Sequence, residues 1–129
     1  MIVSIKTDQQ DAYVAISQNG EIVAEKTWTA HRELSDTLLK TIEELLSESE
    51  SSWNDLSGVV VFQGPGSFTG LRIGITVANT LAASQGVPVV ATQGDNWRTD
   101  GESRIANDDN DEIVLPEYGG EANITKPRK

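Results

Sequence analysis

The sequence predicts an α/β domain with one five-stranded mixed sheet and two main helices. Three short β-rich segments open the chain, and Asn19 and Gly20 join the second to the third with the strongest short hairpin signal known. Further along, continuous apolar runs alternate with segments of helical periodicity, a pattern typical of parallel strands joined by helical crossovers. We therefore expect three antiparallel strands followed by two that enter the same sheet through helices.

The predicted elements follow the order βββαβαβ. The first helix is expected from residue 31 to about residue 49, because its leucines and isoleucine recur at the spacing of one helix face. The second helix follows a glycine-rich turn within residues 64–82. Strands are expected at residues 2–5, 12–17, 21–27, 59–62 and 87–91.

Residues 64–82, GPGSFTGLRIGITVANTLA, are the most informative stretch of the chain. Gly70, Gly74, Ala78 and Ala82 recur every four residues, so they share one stripe of a helix. Backbones approach each other most closely where only glycine and alanine intervene. Bulky apolar residues occupy much of the remaining circumference, which predicts burial on more than one side. We expect one side to face the sheet and the stripe to meet a second helix, from this chain or from a partner.

The glycine-rich turn leaves three interpretations open. Its glycines shape a bend while Ser67 or Thr69 caps the helix, or the exposed N–H groups bind a phosphate, or the turn belongs to a binding surface. The Lys-Ser/Thr pair of a P-loop is missing, and Thr69 stands where a dinucleotide fingerprint needs glycine. The candidate anion or nucleotide contacts are Gly66, Ser67, Thr69 and Arg72.

Composition narrows the function classes. The net charge of −10 opposes the binding of RNA phosphates, so direct, independent RNA binding is not expected. Cysteine is absent and His31 is the only histidine, so no Cys-type zinc site, histidine cluster or Ser-His triad is expected. No apolar run reaches the about 20 residues that a membrane-spanning helix needs. We expect a cytoplasmic protein with no catalytic residues, no metal and no membrane partner.

The chain divides into three predicted parts. Residues 1–92 form the folded lobe. Residues 93–112 hold seven acidic residues against two arginines, with few apolar residues, and are interpreted as a mobile acidic linker. Residues 113–129 form a tail that offers Ile113, Val114, Leu115 and Tyr118 as anchors and ends in a basic run.

Residues 1–92 resemble the TsaB family, also called YeaZ, of bacterial tRNA threonylcarbamoyladenosine biosynthesis. GPGSFTGLRIG, the small-residue helix and the VPVVAT strand match the signature of that family, and AHRELSDTLLKTIEELL is similar to its first helix. The resemblance implies one actin/Hsp70-like (RNase H-like) lobe, in a short form that lacks most of the second lobe. It also implies a non-catalytic subunit whose two helices bind the TsaD-type catalytic subunit, with a TsaE-type ATPase joining the pair.

Carried over to this chain, the resemblance assigns a partner surface to eight residues of the two helices. No cofactor of its own is implied, although ATP or ADP is expected at an interface of the complex, and the isolated chain is expected to form a homodimer through the same face. Lys6 stands where family members commonly carry an aspartate, which argues against a phosphate or magnesium role for that loop. The alternative function is a small phosphate- or nucleotide-binding regulator that uses the glycine-rich turn. The eight residues are Leu34, Leu38, Ile42, Gly70, Leu71, Gly74, Ile75 and Ala78.

Overall fold

The computed structural model describes residues 1–30 and 33–115 and contains one five-stranded sheet in the order β3-β2-β1-β4-β5. Strands β1, β2 and β3 form an antiparallel meander, and β4 and β5 extend it in parallel with β1. This confirms the predicted fold class, a five-stranded mixed sheet in which three antiparallel strands come first and two parallel strands follow. The strands are β1 (Ile2–Lys6), β2 (Asp11–Gln18), β3 (Glu21–Thr29), β4 (Gly58–Phe62) and β5 (Val89–Thr92).

The hairpin between β2 and β3 has the backbone that its sequence predicts. Asn19 and Gly20 both adopt positive φ, of 54° and 83°. A two-residue turn with both central residues in this region matches the right-handed twist of the strands that it joins. The turn therefore fixes the register that pairs Gln18 with Glu21.

Two helices, α1 (Leu34–Glu48) and α2 (Phe68–Gln85), cover one face of the sheet. Their apolar residues meet the side chains of β1, β2 and β4 that point to that face, among them Val3, Val14 and Val59, all fully buried. Ser67 caps α2 by accepting a hydrogen bond from the Gly70 N–H at 3.4 Å, and Gly86 ends the helix in the left-handed conformation with φ of 67°. His31 lies outside the described residues.

A third helix, α3 (Trp97–Ala106), covers the opposite face of the sheet, within the stretch that the sequence predicts to be a linker. Trp97 is 7% exposed and packs edge-on against Phe62 and Tyr13. Gly101 lies so close to Val60 that a Cβ there would overlap the valine side chain. The linker interpretation is wrong for these residues, because Trp97, Gly101 and Ile105, spaced four residues apart, pack onto the sheet.

Polar contacts hold α3 to the neighbouring strands. Glu102 accepts hydrogen bonds from the Arg98 guanidinium and from the Ser17 hydroxyl, both at 2.6 Å. Beside them, burial and a 2.6 Å hydrogen bond to Glu25 raise the pKa of Tyr13 to about 12. The α3 face of the sheet is thus closed by packing and by paired charges together.

Of the predicted tail anchors, Val114 is 3% exposed and exchanges two hydrogen bonds with the Asn79 side chain of α2. Ile113 and Leu115 are 70% and 71% exposed, so their side chains are not the predicted anchors, although the Leu115 carbonyl oxygen accepts a 2.9 Å hydrogen bond from the Gln63 amide. Tyr118 lies outside those residues. Across residues 1–30 and 33–115, no helix combines the length and apolarity that crossing a membrane requires.

Candidate functional site on helices α1 and α2

The glycine stripe of α2 faces the chain's own sheet. A Cβ at Gly70 would overlap the backbone carbonyl oxygen of Thr7, and a Cβ at Gly74 would overlap the Thr7 side chain. The Thr7 hydroxyl also donates a 2.8 Å hydrogen bond to the Gly70 carbonyl oxygen. The stripe therefore admits the loop that follows β1, and its interpretation as a docking seam for a second polypeptide is wrong.

The other residues that the resemblance assigns to the partner surface are buried within this chain, with exposures of 5% or less; five lie in the core under α1 and α2, and Leu71 packs with Phe62 and Trp97. A side chain with so little exposure contributes stability and offers no area to a partner. The periodicity located the apolar faces of both helices correctly, and the sheet of this chain already covers those faces. The residues are Leu34, Leu38, Ile42, Leu71, Ile75 and Ala78.

What the two helices leave exposed is a shallow groove between their outer faces. Its volume is about 280 Å³. Leu39, one helical turn beyond the groove residue Ser35 on α1, is 43% exposed, while Ile73 and Val77 of α2 are half-buried. The lining consists of Ser35, Thr69, Arg72, Ile73, Thr76 and Val77.

Among the described residues that line the groove, Arg72 carries the charge. Its guanidinium lies 5.6 Å from the centre of the Phe68 ring, and Phe68 is itself 54% exposed in the first turn of α2. An arginine stacked on an exposed aromatic ring at the rim of a threonine-rich, apolar groove has the composition of a protein-binding surface rather than of a catalytic pocket. Thr69 and Arg72, predicted as anion contacts, thus lie together in this groove.

The glycine-rich turn itself is filled by this chain. A Cβ at Gly66 would meet the Asp8 Cβ at 2.5 Å, and the Ser67 N–H donates to the Asp8 carbonyl oxygen at 2.9 Å. The nearby ammonium of Lys6 pairs with the Asp8 carboxylate at 2.7 Å and lies 4.5 Å from the Phe62 ring centre. A carboxylate beside the turn repels an approaching phosphate, so the arrangement favours the interpretation in which the glycines shape the turn.

No three or more acidic or histidine side chains of residues 1–30 and 33–115 are placed to hold a metal ion together. Asp8 is 8% exposed, yet its carboxylate is already paired with Lys6. The arrangement on α1 and α2 supports binding by shape and apolar contact.

Sequence reasoning missed the outward-facing residues Leu39, Ile73 and Val77. In α1 no local signal marks Leu39, because adjacent leucines can share one buried face, as Leu45 and Leu46 of the same helix do. In α2, apolar residues lie on more of the circumference than a sheet can cover. The excess apolar positions, rather than the stripe of small ones, mark the outer surface.

A family model described as TsaD, tRNA N6-adenosine threonylcarbamoyltransferase, matches residues 5–93. Those residues run from β1 through β5 and include both helices of the groove. TsaB of Bacillus subtilis is 34% identical over 90 residues, and TsaB of Escherichia coli is 32% identical over 111 residues. The chain belongs to the TsaB (YeaZ) family. A tRNA N6-adenosine threonylcarbamoyltransferase of Rippkaea orientalis is also similar, with 32% identity over 104 residues.

The fold agrees with this membership. The structure of YeaZ from Pseudomonas aeruginosa superimposes with a TM-score of 0.66 at 27% identity, and covers 71% of this chain and 43% of that one. The matches to the two TsaB proteins cover 70% and 81% of this chain, but only 39% and 47% of theirs. The chain therefore spans less than half the length of these TsaB and YeaZ relatives.

Proposed function

We propose that this chain is a non-catalytic subunit in tRNA threonylcarbamoyladenosine biosynthesis, and that it binds a TsaD-type catalytic subunit through the outer faces of α1 and α2. The observation that carries the proposal is the exposed groove between these helices, lined by Ile73 and Val77 of α2, with the exposed Leu39 of α1 one helical turn beyond it. The biosynthetic process and the type of partner in this proposal are taken from the names of the TsaB-type and TsaD-type relatives.

A related partner suits this surface. The matching family model is named for TsaD and runs over both groove helices, so a TsaD-type subunit is expected to carry a helix pair of the same kind. Two such pairs packed face to face form a four-helix contact, in which side chains on each outer face fill the groove of the other. The proposed contact uses residues on the side of α1 and α2 away from the sheet, so binding leaves the core intact.

The further roles that we propose come from the resemblance to the TsaB family. A TsaE-type ATPase joins the assembled pair, and ATP or ADP binds at an interface of the complex rather than to this chain alone. The tRNA reaches the complex through its other subunits, because the net charge of −10 on this chain repels phosphates. When no partner is present, a second copy occupies the same outer face.

Binding of a purified TsaD-type subunit to variants of this chain tests the proposal. Leu39→Glu places a charge in the proposed contact and should weaken binding by about tenfold or more, since it buries an unpaired carboxylate. Val23→Glu is the matched control, because Val23 is 48% exposed on β3 and lies away from the groove. Equal affinity of the Leu39→Glu and Val23→Glu variants would reject the outer faces of α1 and α2 as the contact.

Calorimetry of the isolated chain with ATP, ADP and pyrophosphate separates this function from the alternative of a nucleotide-binding regulator. The proposal expects no measurable heat of binding, because Asp8 pairs with Lys6 beside the turn. Binding of a nucleotide without any partner, abolished by Arg72→Ala, would favour the regulator.

A further inference from the structure

Strand β5 forms one edge of the sheet, and nothing in its own sequence discourages another strand from pairing with it. Its four residues, Val89–Thr92, carry no charge. The opposite edge strand β3 carries Glu21, Glu25 and Lys26, and charged residues are a common guard against edge-to-edge association. An uncharged edge needs another means of protection.

Along β5, backbone groups point alternately toward β4 and away from it. The carbonyl oxygens of Pro88 and Thr92 point toward β4 and accept hydrogen bonds from the N–H groups of Val59 and Gln63, so the groups of Val89 and Ala91 point away from the sheet. Side chains and backbone of residues 110 and 111 engage the outward groups. The Val89 N–H donates to the Asn110 amide oxygen at 3.1 Å, and the Ala91 N–H donates to the Asp111 carboxylate at 2.8 Å. In return, the Asp111 N–H donates to the Val89 carbonyl oxygen at 2.8 Å.

Arg104 of α3 completes this arrangement. Its guanidinium donates to the Ala91 carbonyl oxygen at 2.9 Å and pairs with the carboxylates of Asp111 at 2.5 Å and Asp109 at 2.7 Å. These contacts raise the pKa of Arg104, and the hydrogen bond from Arg104 lowers the pKa of Asp109. One arginine thus satisfies the fourth outward group of β5 and holds residues 109–111 beside the strand.

We propose that residues 109–111, held by Arg104, are a strap that closes the β5 edge against a second copy of this chain. With the strap open, Val89 and Ala91 expose two donors and two acceptors at strand spacing on an uncharged edge. Two copies then pair through their β5 edges, because each offers the other the same unsatisfied groups. The inference concerns the sheet edge and does not depend on the function proposed for α1 and α2.

The test compares Arg104→Ala with Arg98→Ala. Both substitutions remove one arginine of α3. Arg104→Ala breaks the ion pairs with Asp109 and Asp111 and the hydrogen bond to β5, whereas Arg98→Ala breaks only the ion pair with Glu102. Amide hydrogen exchange at Val89 and Ala91 should be about tenfold faster in Arg104→Ala than in Arg98→Ala at low protein concentration. As the concentration rises, sedimentation should show a larger species of Arg104→Ala than of Arg98→Ala, and in Arg104→Ala the amides of Val89 and Ala91 should become protected again.

Exchange at Val89 and Ala91 that is no faster in Arg104→Ala than in Arg98→Ala would overturn the proposal. Fast exchange without concentration-dependent association would overturn it as well. If circular dichroism shows that Arg104→Ala is unfolded, Asp111→Ala replaces it. Its control is Asp100→Ala, which removes the same charge from the exposed side of α3.

Discussion

At the scale of single residues, the glycines of α2 show that one sequence pattern is compatible with two different packing arrangements. The regular spacing of Gly70 and Gly74 indicates a close approach of two backbones or of a backbone and a side chain. It does not indicate which surface approaches, because spacing along a helix carries no information about the rest of the fold. In this chain, the group that packs against Gly70 and Gly74 is Thr7, the residue immediately after β1.

Gly74→Ala should lower the free energy of unfolding by about 1–3 kcal/mol, because the added methyl group overlaps the buried Thr7 side chain. Chemical denaturation measures this change. Thr76→Ala, an exposed position on the same helix, should stay within about 0.5 kcal/mol of the parent chain. A Gly74→Ala variant of unchanged stability that no longer binds its partner would restore the stripe as a docking surface.

At the scale of elements, the sequence predicts most of the fold because hairpin chemistry and hydrophobic period are local. The Asn19-Gly20 turn, the buried strand β4 and both groove helices all follow from residues within a few positions of one another. Helix α3 was missed because the acidic composition of residues 93–112 outweighed a weaker signal. Trp97, Gly101 and Ile105 recur every four residues and mark the face that packs on the sheet.

The candidate site could be predicted less completely. The resemblance assigned the partner surface to α1 and α2, but the buried and exposed faces of each helix are distinguished by tertiary packing. Both faces of α2 are apolar, so its own periodicity does not decide which one the sheet covers. The outward position of Leu39 follows only from the burial of Leu38 and Ile42 beneath it.

Trp97→Ala should cost about 3–5 kcal/mol of stability, because it opens a cavity between α3, Phe62 and Tyr13. Unfolding in urea, followed by circular dichroism, gives the value. Trp53→Ala is the matched control, since Trp53 is only partly buried in a short 3-10 helix, and its loss should be less than half as large. Equal losses for the two tryptophans would mean that α3 is not part of the cooperative fold.

At the scale of the whole molecule, the exposed large apolar side chains of residues 1–30 and 33–115 fall into three places. Ile22 and Val23 lie on β3, Leu39 and Phe68 lie on α1 and α2, and Ile113 and Leu115 lie in the segment after the strap. Leu39 and Phe68 lie near the groove that the half-buried Ile73 and Val77 help to line. Together they give a partner both exposed apolar area and a concave shape. We therefore expect binding to be concentrated at this groove.

The most direct test is amide hydrogen exchange of this chain, free and bound to a TsaD-type subunit. We expect slower exchange in the complex for α1 and α2, with β3, α3 and the segment 113–115 unchanged. This is the result expected if the outer faces of the two helices, and not the buried glycine stripe, form the contact. Protection confined to β3, to α3 or to the segment 113–115 would contradict the proposed contact.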